Sequence, residues 1–236
     1  MIDKNSSHSP DFQLGETILI DKRMRQTSFS VVKQLRYLIK RKYNYSKFKI
    51  GHAGTLDPLA TGLLILCTGK STKTIEQIQN GDKEYIAEIM LGATTPSYDA
   101  ETEVSQLFPY DHVNEELVRK VLTTFEGEID QVPPNYSAMR INGVRAYQQA
   151  RKGKDFVLKS RKITIHEIEL LELDLPVIKI RVKCSKGTYI RTLAKDIGEK
   201  LNSGAYMSGL RRTAIKEFKI EDALTIPEFE NKLNAL

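Results

Sequence analysis

Asp57 lies in a stretch dense in glycines and turn residues, and it is the first candidate for chemistry. Residues 49–73 read KIGHAGTLDPLATGLLILCTGKSTK. Pro58 fixes its own φ and biases the preceding residue towards an extended backbone. Gly51 and Gly54 allow a positive φ or the close approach of another molecule. The pattern predicts a carboxylate on a glycine-flanked loop that leads into a buried strand, which suits a site for a flat ligand.

The same stretch has two other interpretations. Asp and Pro are ordinary turn residues, so Asp57 can serve only to reverse the chain. Gly69-Lys70-Ser71 ends like a phosphate-binding loop, but the first glycine of G-x-x-x-x-G-K-[S/T] would fall at Leu64. The phosphate-loop interpretation is therefore excluded, whereas the simple turn remains open.

A second stretch combines cations with aromatic side chains. Residues 131–153 read QVPPNYSAMRINGVRAYQQARKG. Its cations are Arg140, Arg145, Arg151 and Lys152, and its aromatic residues are Tyr136 and Tyr147. Such a mixture is typical of a flexible RNA clamp, because phosphates bind the cations and bases stack on the rings. The alternative is an ordinary charged surface segment.

Composition excludes several classes of protein. With 236 residues, 40% hydrophobic and 28% charged, the chain is long enough to bury a core, and its net charge of +6 is compatible with a polyanionic partner. Cys67 and Cys184 are far apart and form no CxxC pair, so neither a zinc site nor a disulfide framework is indicated. The sequence shows no apolar leader and no run of membrane-spanning length, which favours a cytoplasmic protein.

Hydrophobic periodicity predicts the elements that must position these residues. Candidate strands are 17–21, 82–91, 163–173, 177–184 and 205–218, and candidate helices are 28–39, 114–125, 189–201 and 227–233. Ser28 is the expected N-cap of the first helix, and the polar residues 1–12 predict a disordered tail. Because the strands are mostly joined by hairpins with helices between them, we expect an α+β fold with a mixed, largely antiparallel sheet.

The chain resembles the TruB family of tRNA pseudouridine synthases in three blocks. GHAGTLDPLATGLL at 51–64 is the family's most specific signature, 133–151 follow PPxYSAxxxxGxxxYxxAR, and 184–201 read CSKGTYIRTLAKDIGEKL. The resemblance extends over nearly all of 14–224. It implies the pseudouridine synthase fold, an active-site cleft across the sheet and an inserted RNA-binding arm at 133–160.

For activity, the resemblance implies an isomerase that converts uridine 55 in the T-loop of tRNA into pseudouridine. The reaction breaks and remakes a bond between base and ribose without a redox change, so no cofactor and no metal are expected. The target base must first leave its stack, at a cost of a few kcal/mol.

The resemblance also implies roles for individual residues. Asp57 is the nucleophile, Arg191 its ionic partner, Tyr85 stacks on the base, Tyr189 and Leu210 wall the pocket, His52 fills the gap left by the flipped base, and Asp99 helps to position the RNA. A free Asp has a pKa of about 3.9. Burial raises this value and a nearby cation lowers it, which is the role assigned to Arg191. Whether Asp57 attacks ribose C1′ or uracil C6 stays open.

The chain departs from the family at two places. The usual Lys-Pro-x-Gly-x-Thr-Ser is Lys-Arg-Met-Arg-Gln-Thr-Ser at 22–28, so the family pattern does not predict the geometry of that turn. Thr95-Pro96 replaces the start of the usual Thr-Asp-Thr-x-Asp. We expect a single catalytic domain over 13–236 and no C-terminal domain of the PUA type.

Other functional interpretations are kept. The first is an RNA-binding module or tRNA folding chaperone without catalysis, for which the set Asp57, Tyr85 and Arg191 would be unnecessary. A relative that depends on guide RNA, similar to dyskerin, is disfavoured by the missing C-terminal domain. We expect a monomer that binds tRNA, with no guide RNA and no membrane.

Overall fold

The structure is a computed structural model that describes residues 1–137, 139–141, 143–150, 152, 156 and 158–235. In chain order its strands are β1 (Thr17–Lys22), β2 (Ile50–Ala53), β3 (Thr61–Thr68), β4 (Lys83–Leu91), β5 (Ala93–Thr94), β6 (Gln106–Leu107), β7 (Gly127–Gln131), β8 (Arg140–Ile141), β9 (Val144–Arg145), β10 (Arg161–Asp174), β11 (Val177–Cys184), β12 (Ala205–Ile215) and β13 (Phe218–Lys219).

The helices complete the described architecture. They are α1 (Ser28–Tyr43), α2 (Ile75–Gln79), α3 (Glu115–Thr123), α4 (Ala146–Ala150), α5 (Ile190–Lys200) and α6 (Ile226–Ala235), with 3-10 turns at Gly69–Thr74 and Ile220–Asp222. Among the described residues, none of these helices has the length and apolar character needed to span a membrane.

The chain divides into two compact units. The first contains Met1–Tyr85 and Leu210–Leu236, and the second contains Ile86–Gly209. β4 and β12 each contribute residues to both units. The single catalytic domain over 13–236 and the arm at 133–160 stay predictions.

β3 is the central strand of the first unit. It pairs antiparallel with β1 and β2 and parallel with β12, where Arg211 and Arg212 lie opposite Thr61 and Gly62. Its apolar side chains are buried on both faces of the sheet. α1 and α6 cover one face, and side chains from α2, the end of β12 and the Ile220–Asp222 turn cover the other. A buried strand of this kind fixes the loops at its ends.

The first residues of the chain pack into this unit, so the predicted disordered tail over 1–12 is wrong. The amide of Ile2 donates to Thr17 O at 2.7 Å. Phe12 is only 1% exposed, and its ring packs edge-on against Tyr43 and Phe229. Ile2 and Phe12 are both buried in the core to which α1 and α6 contribute, and Lys4 N donates to Asp222 O at 2.9 Å.

The N-cap of helix α1 lies one residue earlier than the sequence predicts. Thr27, not Ser28, is the N-cap, and its Oγ1 accepts from Ser30 N at 3.0 Å. The helix ends at Asn44, which has a φ of 51°. Ser28 is the first helical residue and is buried. Because Thr27 caps the helix, the hydroxyl of Ser28 is available to contact the loop between β2 and β3.

In the second unit, four strands lie in the order β4-β11-β10-β7. β10 pairs antiparallel with β11 and with β7. Helix α3 begins at the cap Asn114, whose Oδ1 accepts from Leu117 N at 2.9 Å, as the sequence predicts. The expected α+β fold with a largely antiparallel sheet is confirmed.

The packing of the N-terminal segment gives a testable prediction. Phe12→Ala should lower the free energy of unfolding by about 3 kcal/mol, because it removes a buried aromatic ring and leaves a cavity. Leu14→Ala is the control, since Leu14 is 57% exposed, and it should change stability by less than about 0.5 kcal/mol. Urea denaturation followed by circular dichroism measures both variants. Equal, small effects would show that the segment does not pack.

Candidate active site

The loop that carries Asp57 connects β2 to β3 and is held on both sides of the carboxylate. Before it, Leu56 N donates to Ser28 Oγ at 2.9 Å, and that hydroxyl donates back to Leu56 O at 3.1 Å. After it, Pro58 O accepts from Arg25 N at 2.7 Å. The segment between β1 and α1 therefore fixes the backbone around Asp57.

The unusual turn at 22–28 keeps a glycine-like geometry without a glycine. Arg25 stands where the family pattern has Gly, and its φ is 64°, in the left-handed region. For a residue with a Cβ this conformation costs roughly 1–2 kcal/mol. In this conformation the amide of Arg25 donates to Pro58 O, so the strained turn keeps its hydrogen bond to the loop of Asp57.

Lys22 is a site residue that the sequence reasoning missed. Its side chain is fully buried at the end of β1, and Nζ donates to Arg23 O at 3.1 Å and to Gln26 O at 2.8 Å. Burial lowers the pKa of Lys22 to about 8; the negative charge of Asp57 opposes this shift, and the positive charge of Arg212 adds to it. The ammonium group therefore lies within electrostatic reach of the candidate nucleophile.

Arg212 is a second missed residue, located on β12. It is 1% exposed, and its guanidinium donates to Leu63 O at 2.8 Å and to Gly54 O at 3.0 Å. Burial lowers the pKa of Arg212, and a hydrogen bond with the hydroxyl of Tyr85 opposes that shift. A basic pair at 211–212 reads as surface charge in the sequence, so no local signal separates the buried arginine from its exposed neighbour.

Three of the predicted site residues lie near Arg212 or on the same strand, β12. Tyr85, on β4, is 8% exposed and bonds Arg212 through its hydroxyl. His52, on β2, is half-buried; burial and then the charge of Arg212 lower its pKa, so the ring is neutral near pH 7. Leu210 is half-buried at the start of the first unit's part of β12, where its carbonyl accepts from Thr61 Oγ1 at 3.3 Å.

In the second unit, Arg191 is buried beside Asp99. Its Nε lies 3.6 Å from Asp99 Oδ2, and it donates to Ser97 O at 3.3 Å and to Tyr136 O at 3.0 Å. Asp99 also accepts from Ser97 Oγ at 2.6 Å. Arg191 thus joins the loop between β5 and β6 to the segment around Tyr136. Its predicted pairing with Asp57 stays a prediction, as does an RNA contact by Asp99.

The remaining predicted residues lie around the arm. The guanidinium of Arg161 lies over the ring of Tyr189, 4.5 Å from its centroid. Arg140 and Arg145 lie opposite each other in the β8–β9 hairpin, and Lys152 is exposed. Arg151 lies outside the described residues. Contacts of Arg140, Arg145, Arg151 and Lys152 with RNA stay predictions.

Two sequence models match the chain. The TruB family pseudouridylate synthase N-terminal domain matches residues 40–190, and the tRNA pseudouridylate synthase B C-terminal domain matches 191–235. The chain belongs to the TruB family of pseudouridylate synthases.

Relatives agree with this assignment. The chain is 54% identical to tRNA pseudouridine synthase B of Phocaeicola vulgatus over 95% of each chain. It is 52% identical to the protein of the same name from Flavobacterium johnsoniae, over 93% of this chain and 96% of that one.

Among solved structures, a Cbf5–Nop10–Gar1 complex matches with a TM-score of 0.69 and 31% identity over 97% of this chain. An H/ACA ribonucleoprotein bound to a substrate RNA with 2′-deoxyuridine matches with a TM-score of 0.67 and 29% identity over 99% of it. This chain spans 61% and 63% of those two chains.

The buried ammonium of Lys22 gives a prediction about pH. Its pKa is lowered from 10.5 to about 8, so between these values the unfolded chain binds more protons than the folded one. Stability contributed by this group therefore rises with pH across the window. The free energy of unfolding of the wild type relative to Lys22→Met should increase between pH 8 and 10.5, by up to about 1.4 kcal/mol for each pH unit.

Denaturant titrations of both proteins at a series of pH values measure this difference. Lys70→Met serves as the control, because Lys70 is exposed, and its difference from wild type should not change with pH. If the curves for wild type and Lys22→Met stay parallel across the window, the ammonium group is not buried in solution.

Proposed function

We propose that the protein isomerises uridine to pseudouridine in the T-loop of tRNA, at position 55, with Asp57 as the nucleophile. The observation that carries the proposal is the loop of Asp57, in which the uninterrupted family signature is bound to β1–α1 through Leu56 and Pro58. The buried ammonium of Lys22 lies within electrostatic reach of the carboxylate. A residue that only turned the chain would not need this support.

In the proposed reaction, the bond between ribose C1′ and uracil N1 breaks, the base turns, and C1′ bonds to C5, whose proton is then lost. Attack by Asp57 at C1′ or at C6 forms a covalent intermediate. The later step expels the carboxylate unchanged, so atoms and electrons balance without an external oxidant or reductant.

Tyr85, Tyr189 and Leu210 are proposed to hold the base during this sequence. A detached uracil must stay near the ribose while it turns, and flat or apolar side chains confine it without binding any one orientation strongly. The hydroxyl of Tyr85 is fixed by a hydrogen bond, so its ring can offer a defined face to the base.

His52 is proposed to occupy the space that the flipped uridine leaves in the T-loop. Unstacking a base costs a few kcal/mol, and a planar side chain that stacks in its place recovers part of this cost. Burial and Arg212 lower the pKa of His52. The neutral ring is the better substitute for a base, because a charged imidazolium would have to lose more hydration.

The arm at 133–160 is proposed to bind the tRNA backbone. Arg140, Arg145, Arg151 and Lys152 supply charge for phosphate contacts, and the net charge of the whole chain is +6. Such contacts are electrostatic and therefore weaken as salt rises. They position the RNA but do not read its sequence.

We infer that the protein acts as a monomer, without guide RNA, in the cytoplasm. The relatives named tRNA pseudouridine synthase B share about the same length as this chain. The chain from the Cbf5–Nop10–Gar1 complex is longer, and this chain spans 61% of it. Purified protein alone should modify a tRNA transcript, and a requirement for added RNA or protein would contradict the inference.

Replacing the nucleophile separates catalysis from binding. Asp57→Asn should abolish pseudouridine formation, with a loss of at least about 1000-fold in turnover, because the amide is not a nucleophile of comparable strength. Its affinity for tRNA should stay within about threefold, because the change is isosteric. Tritium release from uridine-labelled tRNA measures turnover, and filter binding measures affinity.

Asp111→Asn is the matched control, since Asp111 is exposed, and it should retain both properties. Appreciable turnover by Asp57→Asn would remove Asp57 from its proposed role. If the wild type bound tRNA but released no tritium, the alternative of a binding module or folding chaperone would be favoured instead.

A further inference from the structure

We infer that Arg212 is a positioning residue, which holds the hydroxyl of Tyr85 and the start of the Asp57 loop in one fixed arrangement. The inference rests on the proposed function. Arg212 acts through these two neighbours and needs no contact with the uridine itself.

The bonding of Arg212 is unusual for a buried arginine. Its side chain is 1% exposed, and its contacts among the described residues are Leu63 O at 2.8 Å, Gly54 O at 3.0 Å and the hydroxyl of Tyr85. These partners are neutral, whereas a buried cation is normally paired with a carboxylate. Such a costly arrangement is expected where the charge or the geometry serves a function.

The guanidinium joins two elements that the chemistry must keep in register. Gly54 opens the loop that leads to Asp57, and Tyr85 lies on β4. The N–H groups of arginine form a rigid planar fork, so the loop carbonyl and the phenol oxygen are held at a set spacing. Because Arg212 donates to the phenol oxygen, the proton of that hydroxyl is directed to another acceptor.

Two glycines allow Arg212 to take this position. A Cβ added at Gly62, where φ is 100°, would lie 2.3 Å from Arg212 O, so only glycine lets β3 and β12 approach here. A Cβ at Gly54, where φ is 92°, would lie 3.4 Å from Nη1 of Arg212. The glycines of the signature at 51–64 therefore leave space for Arg212, in addition to forming the loop that carries Asp57.

The charge of Arg212 also acts on two other site residues. It lowers the pKa of Lys22 and that of His52, so the guanidinium lies within electrostatic reach of both. A residue with only a packing role would leave these titrations unchanged when replaced by an isosteric neutral group. The two effects of Arg212, geometric and electrostatic, can therefore be tested separately.

Arg212→Lys tests the geometric role, because it keeps the charge and loses the planar fork. We expect kcat to fall about 10- to 100-fold, as for a reacting group displaced by up to about 1 Å, with KM within about threefold. The control is Arg211→Lys on the same strand, which should change kcat less than about threefold; Arg211 is 41% exposed and pairs with Asp21 at 2.7 Å. Single-turnover rates on a tRNA transcript give these values.

A double variant shows whether Arg212 acts through Tyr85. The rate of Arg212→Lys with Tyr85→Phe should equal that of Tyr85→Phe alone, because the hydroxyl that the arginine positions is already absent. Losses that multiply would overturn the inference. If the Arg212 variants do not fold, Tyr85→Phe alone tests the inference. An unchanged kcat in Tyr85→Phe would show that catalysis does not need the hydroxyl, and this would overturn a role for Arg212 in positioning it.

NMR titration of His52 tests the electrostatic role and needs no activity. The chain has four histidines, and His52→Gln assigns the signal. Arg212→Gln should raise the pKa of His52, while Arg212→Lys should leave it nearly unchanged. If the pKa of His52 did not shift in Arg212→Gln, the charge of Arg212 would not act on His52, and the electrostatic role would be wrong. Because this readout is independent of pseudouridine formation, an inactive wild type would reject the proposed function without deciding the role of Arg212.

Discussion

The rest of the candidate site depends on the fixed position of the loop between β2 and β3. A carboxylate that attacks carbon must meet its target at a defined distance, and a misplacement of about 1 Å can cost a hundredfold in rate. Here the loop is held before Asp57 by Ser28, after it by the amide of Arg25, and at its start by Arg212. These contacts come from two separate parts of the chain, the turn at 22–28 and β12, so the loop is positioned by the fold.

Buried positive charge accompanies this rigidity. Lys22 and Arg212 are both among the largest fully buried side chains of the described residues, and burial lowers the pKa of each. Two buried cations oppose folding, because each loses hydration that neutral carbonyl partners only partly replace. Lys22 lies within electrostatic reach of Asp57, and burial followed by the charge of Arg212 lowers the pKa of His52, which favours a neutral imidazole. Stability is thus reduced by two cations that lie among the residues of the proposed chemistry.

The sequence predicts what depends on local pattern. The period of α1, the alternation of β11 and the cap at Asn114 are all found in the structure. It fails where a contact joins distant residues: Arg212 and Gly54 are 158 positions apart, and a basic pair on a strand reads as surface charge. The N-terminal segment fails for the same reason, because only the assembled α1 and α6 provide a place for Phe12.

The altered turn at 22–28 shows why the family pattern can change here without losing the site. Arg25 contacts the loop through its backbone amide, and Lys22 is bonded by the carbonyls of Arg23 and Gln26. The side chains at 23–25 are exposed. The turn therefore contributes its backbone, and the side chains that replace Pro and Gly lie outside the contacts that matter. Ser28 differs, because its hydroxyl is itself the contact, and no other side chain in the turn can replace it.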